Sequence, residues 1–335
     1  MTPHMTPHHR FLRRRDILVA AGAILAGMSS QAQPAGAAGL PQGPMRLIVP
    51  FPAGTGADMV ARAFAKAIGD LRAQPVVVDN KAGANGIIAV QAALQAPADG
   101  LTLLLGSNSA LSSNAALLRN LPYDPVRDFS PIGVTGRAPC VVIVSPKSPY
   151  ASLKDLLADA RRRPGALNFG SASPSYALYS EWMSELAGIR ANNIPYKGTT
   201  EVMTAIAGQQ LDYAVVDATA AQELIRSGRL RALAVTDEKR MPAIAAVPTS
   251  AEAGLPALQA YSWTAFAVSA KTPVATVQAL EALVAKAGQS HDVADLFERT
   301  SITPMMTNGA AMRRFQVEEI ARWKRLAVAA KLVQD

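Results

Sequence analysis

Short apolar segments alternate with amphipathic segments along most of the chain, and this alternation restricts the fold more than any other feature. Apolar runs at residues 45–49, 75–79 and 101–106 predict strands. The segments that follow the first two runs have apolar residues at helical spacing. An order of strand, helix, strand, helix, strand is typical of a parallel sheet with helical crossovers. The sequence therefore predicts an α/β protein.

A proline-rich stretch at residues 121–131 interrupts the alternation, which then resumes. Two short strands are predicted at 132–135 and 140–145, on either side of the segment Gly136-Arg137-Ala138-Pro139. We place a crossing into a second domain at this segment. Later strands are predicted at 167–169, 193–195, 213–216, 232–235 and 263–268.

The last of these strands is expected to return the chain to the first domain. Domain 1 is then discontinuous, with residues 38–138 plus 262–335, and domain 2 comprises residues 139–261. Two α/β lobes that are joined by at least two crossings form a hinged clamshell, with a ligand held at the carboxyl ends of the strands.

Residues 1–37 have the order of an export signal: basic, then apolar, then small. The apolar run at 17–28 is shorter than the roughly 20 residues that span a bilayer. The sequence Arg14-Arg15-Asp16-Ile17-Leu18 also resembles a twin-arginine export motif, and both export routes stay open. We therefore expect a cleaved signal peptide and a periplasmic protein.

The formal net charge is +8, but the predicted signal carries four arginines and one aspartate of this total. The remaining excess of basic side chains is mild, and its one block of like charge, Arg161-Arg162-Arg163, lies at the end of a predicted helix, where cations suit the helix dipole. Nucleic acid is therefore not an expected partner.

The turn from Val49 to Asp58 joins the first predicted strand to a helix, and Gly54 and Gly56 let its backbone approach a guest closely. Amides at the start of that helix would favour an anionic group. The pattern Gly54-x-Gly56, with Asp79 at the end of the next strand, partly matches a dinucleotide fingerprint, but Met59 replaces the third glycine. A purely structural turn is the remaining alternative.

Polar and small residues also follow the later strands. They are Ser107-Asn108-Ser109, Gly170-Ser171-Ala172-Ser173, Tyr196-Lys197-Gly198-Thr199 and Asp217-Ala218-Thr219. Each group precedes a predicted helix start, so several helix N-termini are expected to meet at one crevice and to hold a carboxylate through amides and hydroxyls. Asp217 differs, because its carboxylate would favour an amino or hydroxyl group of the ligand or a bridging water; a role as a helix N-cap is the alternative.

Few side chains that could catalyse a reaction remain after the predicted signal. His291 is the only histidine there and Cys140 is the only cysteine of the chain, so a zinc site is excluded. We expect His291 at the surface and Cys140 in a buried strand. The prediction is a protein with no catalytic residue, no metal and no cofactor. The alternative is an enzyme in the crevice, either a cofactor-dependent oxidoreductase or a serine hydrolase.

Long motifs of the chain resemble one family. They are Arg46-Leu47-Ile48-Val49-Pro50-Phe51-Pro52-Ala53-Gly54, Pro75-Val76-Val77-Val78-Asp79-Asn80-Lys81-Ala82-Gly83-Ala84, Leu121-Pro122-Tyr123-Asp124-Pro125, Pro195-Tyr196-Lys197-Gly198 and Val247-Pro248-Thr249-Ser250-Ala251-Glu252-Ala253-Gly254. They closely resemble the substrate-binding proteins of tripartite tricarboxylate transporters, the TctC or Bug family. The resemblance implies a type II-like periplasmic-binding-protein fold, a small organic carboxylate as ligand, a membrane permease as partner and a monomer. A binding protein that serves a signalling sensor would have the same sequence features.

The resemblance and the strand-end pattern together give a set of expected ligand-binding residues. They are Phe51, Ala53, Gly54, Thr55, Asp58, Ser107, Asn108, Ser171, Ala172, Ser173, Tyr176, Lys197 and Asp217. One loop departs from the family, because Ser173-Pro174-Ser175-Tyr176 stands where a glycine-rich loop with a histidine is usual. This departure indicates a ligand different from dicarboxylates and amino acids, such as a monocarboxylate or an aromatic acid.

Overall fold

The structure is a computed structural model that describes residues 39–334. The predicted signal peptide and its twin-arginine motif lie outside the described residues. Within them the strands are β1 Met45–Val49, β2 Val76–Asn80, β3 Thr102–Ser107, β4 Phe129–Val144, β5 Asn168–Ser171, β6 Asn192–Pro195, β7 Tyr213–Asp217, β8 Arg231–Val235, β9 Tyr261–Ser269 and β10 Thr303–Pro304.

The helices of the same region alternate with these strands. They are α1 Gly56–Arg72, α2 Ile87–Gln95, α3 Asn114–Leu117, α4 Leu153–Arg162, α5 Pro174–Ala187, α6 Thr199–Ala207, α7 Ala218–Arg226, α8 Val274–Ala287, α9 His291–Thr300 and α10 Gly309–Ala329. The strands predicted at 45–49, 75–79 and 101–106 are confirmed to within about one residue.

We call the part of the molecule that is built on the strands β2–β1–β3–β9, in this order, lobe 1. Strands β1, β2 and β3 are parallel, and β9 runs antiparallel to β3. Helix α1 packs on this sheet through an apolar face that includes Val60, Phe64 and Ile68. The parallel pairing follows from the helical crossovers, which place each new strand in the direction of the previous one.

We call the part that is built on the strands β7–β5–β6, in this order, lobe 2. These strands are parallel, and helices α4 to α7 connect or flank them. Strand β8 runs antiparallel to β4. The predicted strands at 167–169, 193–195, 213–216 and 232–235 are therefore confirmed to within about two residues. Helix α4 begins at a capping box in which Ser152 and Asp155 exchange hydrogen bonds.

Strand β4 corrects the prediction of two separate strands at 132–135 and 140–145. It is continuous over 16 residues, because the segment from Gly136 to Pro139 pairs antiparallel with Thr264 to Tyr261 of β9. Its second part, from Cys140 to Ile143, pairs with β7. One strand therefore belongs to both sheets, and Cys140 is fully buried in it, as predicted.

Two close contacts of β4 involve residues in or just before the segment that crosses between the lobes. The guanidinium of Arg137 lies 2.7 Å from the carboxylate of Asp237 in lobe 2 and 4.9 Å from the centre of the Tyr261 ring. A Cβ atom at Gly133 would overlap the carbonyl oxygen of Thr307, so glycine permits the close approach of the segment that follows β10. The α/β clamshell with two lobes is thus confirmed, while the domain limits at 138/139 and 261/262 stay a prediction.

Helix α10 contacts both lobes. Phe315, in its first half, packs edge-on against Trp263 of β9 at a ring distance of 5.3 Å. Trp323, in its second half, contacts Tyr179 and Trp182 of α5 at 5.5 and 5.7 Å. The helix is therefore part of the junction between the lobes.

Glu319 lies between these two aromatic groups and is only 3% exposed. Its Oε2 atom accepts a hydrogen bond of 3.0 Å from Nε1 of Trp263. Burial raises the pKa of the Glu319 carboxyl from 4.5 to about 7, because the charged form loses its hydration. The junction therefore contains an acidic group whose protonation stabilises the fold.

The exchange Glu319→Gln should make stability less dependent on pH. In the wild type the free energy of unfolding should fall as the pH rises from 4.5 to about 7, because only the folded state holds the proton in that interval. The substitution should remove a pH-dependent change on the order of 3 kcal/mol from the free energy of unfolding. Urea unfolding at several pH values measures it, with exposed Glu318→Gln on the same helix as the control. If the unfolding free energy depends on pH equally in the wild type and in Glu319→Gln, the raised pKa does not belong to Glu319. Burial also raises the pKa of Glu181 to about 7, so a smaller dependence on pH should remain in both proteins.

Candidate functional site

A cleft of about 810 Å³ lies between the lobes, within the size range of small-molecule sites. Lobe 1 lines it with residues that follow β1, β2 and β3, at positions 50–52, 55–57, 59–60, 82–83, 85–86 and 107–109. Lobe 2 lines it with the first turns of α5, α6 and α7. The connecting segments add Gly136, Ala138, Ser262, Trp263, Thr264 and Ile302. The cleft therefore lies at the carboxyl ends of strands from both sheets.

Four helices present their N-terminal ends to this cleft. Thr55 precedes α1, Ser173 precedes α5 and Asp217 precedes α7, and Thr199 is the first residue of α6; all four line the cleft. The first amides of a helix have no partner within it, and the helix dipole adds positive potential there. The cleft is therefore suited to an anionic group.

The turn before α1 is held by Asp58, which is 2% exposed and does not line the cleft. Its carboxylate accepts hydrogen bonds from Nε of Arg62 at 2.8 Å, from the amide of Gly54 at 2.9 Å and from Nδ2 of Asn80 at 2.9 Å. These hydrogen bonds lower the pKa of Asp58 to about 2, and the one from Arg62 contributes most. Gly54 has a φ of +83°, which favours glycine. In this structure Asp58 fixes the shape of the turn.

Other expected binding residues divide into two groups by position. Phe51, Thr55, Ser107, Asn108, Ser173, Tyr176 and Asp217 line the cleft. The cleft lining does not include Ala53, Gly54, Asp58, Ser171, Ala172 and Lys197. Of these, Ser171 and Ala172 are buried and Lys197 is exposed. Contact of either group with a ligand stays a prediction.

The lobes contact each other directly at one side of the cleft. Nδ2 of Asn108 donates a hydrogen bond of 2.7 Å to the hydroxyl of Tyr179, which donates one of 2.8 Å to the carbonyl of Tyr261. The hydroxyls of Ser109 and Ser175 lie 3.1 Å apart. Tyr179, Ser175 and Trp263 are absent from the sequence-based set of site residues. The helical spacing of Tyr179 from Tyr176 could have indicated the first of them.

Asp217 is the N-cap of α7 and also lies in the cleft lining, while its contact with a ligand stays a prediction. It caps α7, since Oδ1 accepts a hydrogen bond of 3.0 Å from the amide of Ala220, and it also lines the cleft. Its Oδ2 atom accepts one of 3.3 Å from the hydroxyl of Ser262. Burial raises the pKa of the Asp217 carboxyl, and these hydrogen bonds oppose that effect.

The two side chains that sequence reasoning weighed for catalysis lie outside the cleft lining. His291 is 89% exposed at the start of α9, with Nδ1 at 2.7 Å from the carboxylate of Asp295. Burial raises the pKa of the Cys140 thiol well above its usual value. Among residues 39–334 no cluster of three or more His, Cys, Asp or Glu side chains could hold a metal ion, and no helix there is long and apolar enough to cross a membrane.

The aspartate in the turn before α1 gives a test of the site's construction. Asp58→Asn should lower the free energy of unfolding at pH 7 by about 1 to 3 kcal/mol, because it removes charge-assisted hydrogen bonds from a buried acceptor. The pKa of Asp58 is lowered from 3.8 to about 2, so this contribution is present above pH 3.8 and is lost as the pH falls through about 2. Chemical unfolding at pH 7 and pH 3 measures both effects.

Asp70→Asn is the matched control, since Asp70 is exposed on the same helix and pairs with Lys66 at 3.2 Å. An exposed pair of this kind contributes little. Equal stability losses in the two variants would contradict the structural role of Asp58.

Comparisons with known proteins agree with this geometry. The sequence profile of the family described as "Tripartite tricarboxylate transporter family receptor" matches residues 60–332. The chain is 36% identical to Protein BugT of Bordetella pertussis over 317 residues, which cover 94% of this chain and 95% of the relative.

Solved structures of similar sequence share the fold of this chain. The structure described as "R. palustris Rpa4515 with adipate" has a TM-score of 0.74 and 31% identity, and the match covers 87% of this chain and 98% of that one. The periplasmic binding protein BugD has a TM-score of 0.72 and 26% identity, over 88% of this chain and all of that one (100%).

Proposed function

Because the chain belongs to the tripartite tricarboxylate transporter receptor family, we propose that it is a periplasmic receptor for a small organic carboxylate. It captures the ligand between its two lobes and delivers it to a membrane permease of the tripartite tricarboxylate type. One observation carries the proposal: the N-termini of α1, α5, α6 and α7 all line one cleft between the lobes.

The carboxylate of the ligand lies at the N-terminus of α1. Gly56 and Ala57, whose amides belong to the first turn of α1, line the cleft together with Thr55. Asp58, in the same turn, is turned away and paired with Arg62, so its charge does not oppose the guest. Amides held by a helix are already oriented, and they therefore bind an anion without the cost of ordering long cationic side chains.

The body of the ligand packs against the aromatic and apolar parts of the cleft. Phe51 in lobe 1, Tyr176 and Tyr179 in lobe 2 and Trp263 between the lobes line it. Closure brings these walls together and removes water, which strengthens the hydrogen bonds to the carboxylate. The lobes move about β4, β9 and α10, which are the elements they share, and the closed form is what the permease recognises.

The remaining parts of the proposal concern residues and places beyond the cleft. Residues 1–37 direct export and are cleaved, and the mature chain acts as a monomer. The family and the structural neighbours are binding proteins, and we propose that this chain likewise acts without chemistry. The expected site residues outside the cleft lining act indirectly, because they hold the loops that carry the lining residues. They are Ala53, Gly54, Ser171, Ala172 and Lys197.

A panel of carboxylic acids and their matched amides tests the proposal. With protein purified from the periplasm, at least one acid should raise the melting temperature, because a ligand that binds only the folded state stabilises it by about 2.7 kcal/mol at 100 times its Kd. Its amide should not, and small-angle scattering should show a smaller radius of gyration with the acid. Absence of any stabilising acid, or copurified NAD with substrate turnover, would contradict the receptor function.

The variant Thr55→Asp locates the carboxylate. Aspartate is as good an N-cap as threonine, so α1 should keep its start while a negative charge enters the cleft. Affinity for the acid found in the panel should fall at least about tenfold through like-charge repulsion. Ser290→Asp, at the N-cap of α9, is the control and should leave affinity unchanged. Equal affinity of Thr55→Asp and wild type would place the carboxylate elsewhere.

A further inference from the structure

We propose that Glu319 is a positioning residue of the cleft: its carboxyl group holds the indole of Trp263 in the cleft wall, and the cleft binds an anionic ligand more tightly when this group is neutral. The inference concerns the regulation of the proposed site. Its second half rests on the proposed function, since it assumes an anionic ligand, whereas its first half concerns a contact that exists without one.

The contact between Glu319 and Trp263 is the first step. Trp263 of β9 lines the cleft and is only 2% exposed, so almost all of its side chain is enclosed. Oε2 of Glu319 accepts a hydrogen bond of 3.0 Å from Nε1 of this indole, and Phe315 of the same helix packs against its ring at 5.3 Å. Glu319 is therefore not a lining residue itself, but it bonds directly to one.

Unpaired donors near the Glu319 carboxyl are the second step. Burial raises the pKa of this carboxyl, and donors on Ser112, Trp263 and Trp323 oppose that effect. Yet Oγ of Ser112 and Nε1 of Trp323 are buried without a partner in hydrogen-bond geometry. A charged carboxylate has acceptor positions for all three donors, whereas the structure forms one of these bonds. This is the arrangement expected of the neutral acid.

The charged and titratable groups around Glu319 are the third step. Arg322, one turn further along α10, lowers the pKa of Glu319 by Coulomb attraction, while Glu318 on the same helix is exposed to solvent. From α5 and β9 the phenols of Tyr179 and Tyr261 interact with it. Burial raises the pKa of both phenols, so they are uncharged near neutral pH.

The remaining elements that pack on α10 add little charge. The segment at residues 109–113, which carries Ser112, and helix α3 contain no titratable side chain. Strand β4 contains one arginine, Arg137, whose guanidinium pairs with Asp237 at 2.7 Å. Within this group of described residues, Glu319 is therefore the one that changes its charge between pH 6 and pH 8.

An anionic ligand shifts this equilibrium in one direction. A negative charge in the cleft that Trp263 lines disfavours the ionised form of Glu319, and so does the loss of water when the cleft closes. The pKa of Glu319 in the complex should therefore lie above its value of about 7 in the free protein. Affinity is then highest below both values and falls as the pH rises through about 7.

The indole N–H signals in a magnetic resonance spectrum test the contact without a ligand. In protein made with isotope-labelled tryptophan, the Trp263 signal, assigned with Trp263→Phe, should move with pH with a midpoint at about 7. The movement should be absent in Glu319→Gln, because glutamine does not ionise. It should persist in Glu181→Gln, the matched control: burial raises the pKa of Glu181 to about 7 as well, but Glu181 does not line the cleft.

Ligand affinity at two pH values tests the coupling. The probes are members of the carboxylate panel that are ionised at both values, such as hexanoate, benzoate and terephthalate. In calorimetric titration the wild type and Glu181→Gln should bind at least about threefold tighter at pH 6 than at pH 8. Glu319→Gln, which resembles the neutral acid, should lose this difference. Burial also raises the pKa of Asp217 in the cleft, so the contrast between the proteins is the measure.

The outcomes separate this inference from the function on which it rests. A Trp263 signal that is independent of pH, or that moves equally in Glu319→Gln, overturns the contact and with it the proposal. An equal pH dependence of affinity in the wild type and Glu319→Gln overturns the coupling, and the receptor function stands.

Two further results are also decisive. If Glu319→Gln does not fold, the affinity of the wild type must change with the same midpoint as its Trp263 signal, and a different midpoint overturns the coupling. If no acid of the panel binds at either pH, the receptor function is wrong and the coupling falls with it, while the indole signal still decides the contact.

Discussion

The continuous backbone ladder of β4 is the interaction on which the rest of the structure depends. Its first part pairs with β9 in lobe 1 and its second part pairs with β7 and β8 in lobe 2. Two sheets that share a strand keep a fixed connection, yet each sheet keeps its own hydrophobic core. The strand ends of both sheets therefore face one space, and the cleft is a consequence of the shared strand.

The cleft uses the unpaired amides that every helix has at its start. At α1 a threonine caps the helix and Asp58 is turned into the loop, so the first amides remain for a guest. At α7 the cap is itself a carboxylate, so the same kind of helix end becomes an acceptor. The capping residues of these two helices therefore differ, with a hydroxyl at α1 in lobe 1 and a carboxylate at α7 in lobe 2.

Much of the fold follows from local pattern, because apolar runs that are bounded by glycine and polar residues define strands without knowledge of their partners. The continuity of β4 does not follow from local pattern, since Gly136 and Pro139 indicate a break. Only pairing with β9, which is far along the chain, keeps these residues extended. The orientation of the Asp58 side chain also depends on a distant segment, because Asn80 of β2 donates a hydrogen bond to its carboxylate, as Arg62 of its own helix does. Helix starts at the cleft were predictable, whereas Tyr179 and Trp263 enter the cleft through contacts between distant segments.

The junction between the lobes also determines the intrinsic tryptophan fluorescence of this protein. The chain has three tryptophans, and Trp182, Trp263 and Trp323 all contact the junction around α10, with the guanidinium of Arg322 lying 4.5 Å from the Trp182 ring centre. Trp263 in addition lines the cleft and donates to Glu319. The intrinsic emission of the unlabelled chain therefore arises where the lobes meet, and its wavelength and quenching report the relative position of the lobes without an attached dye.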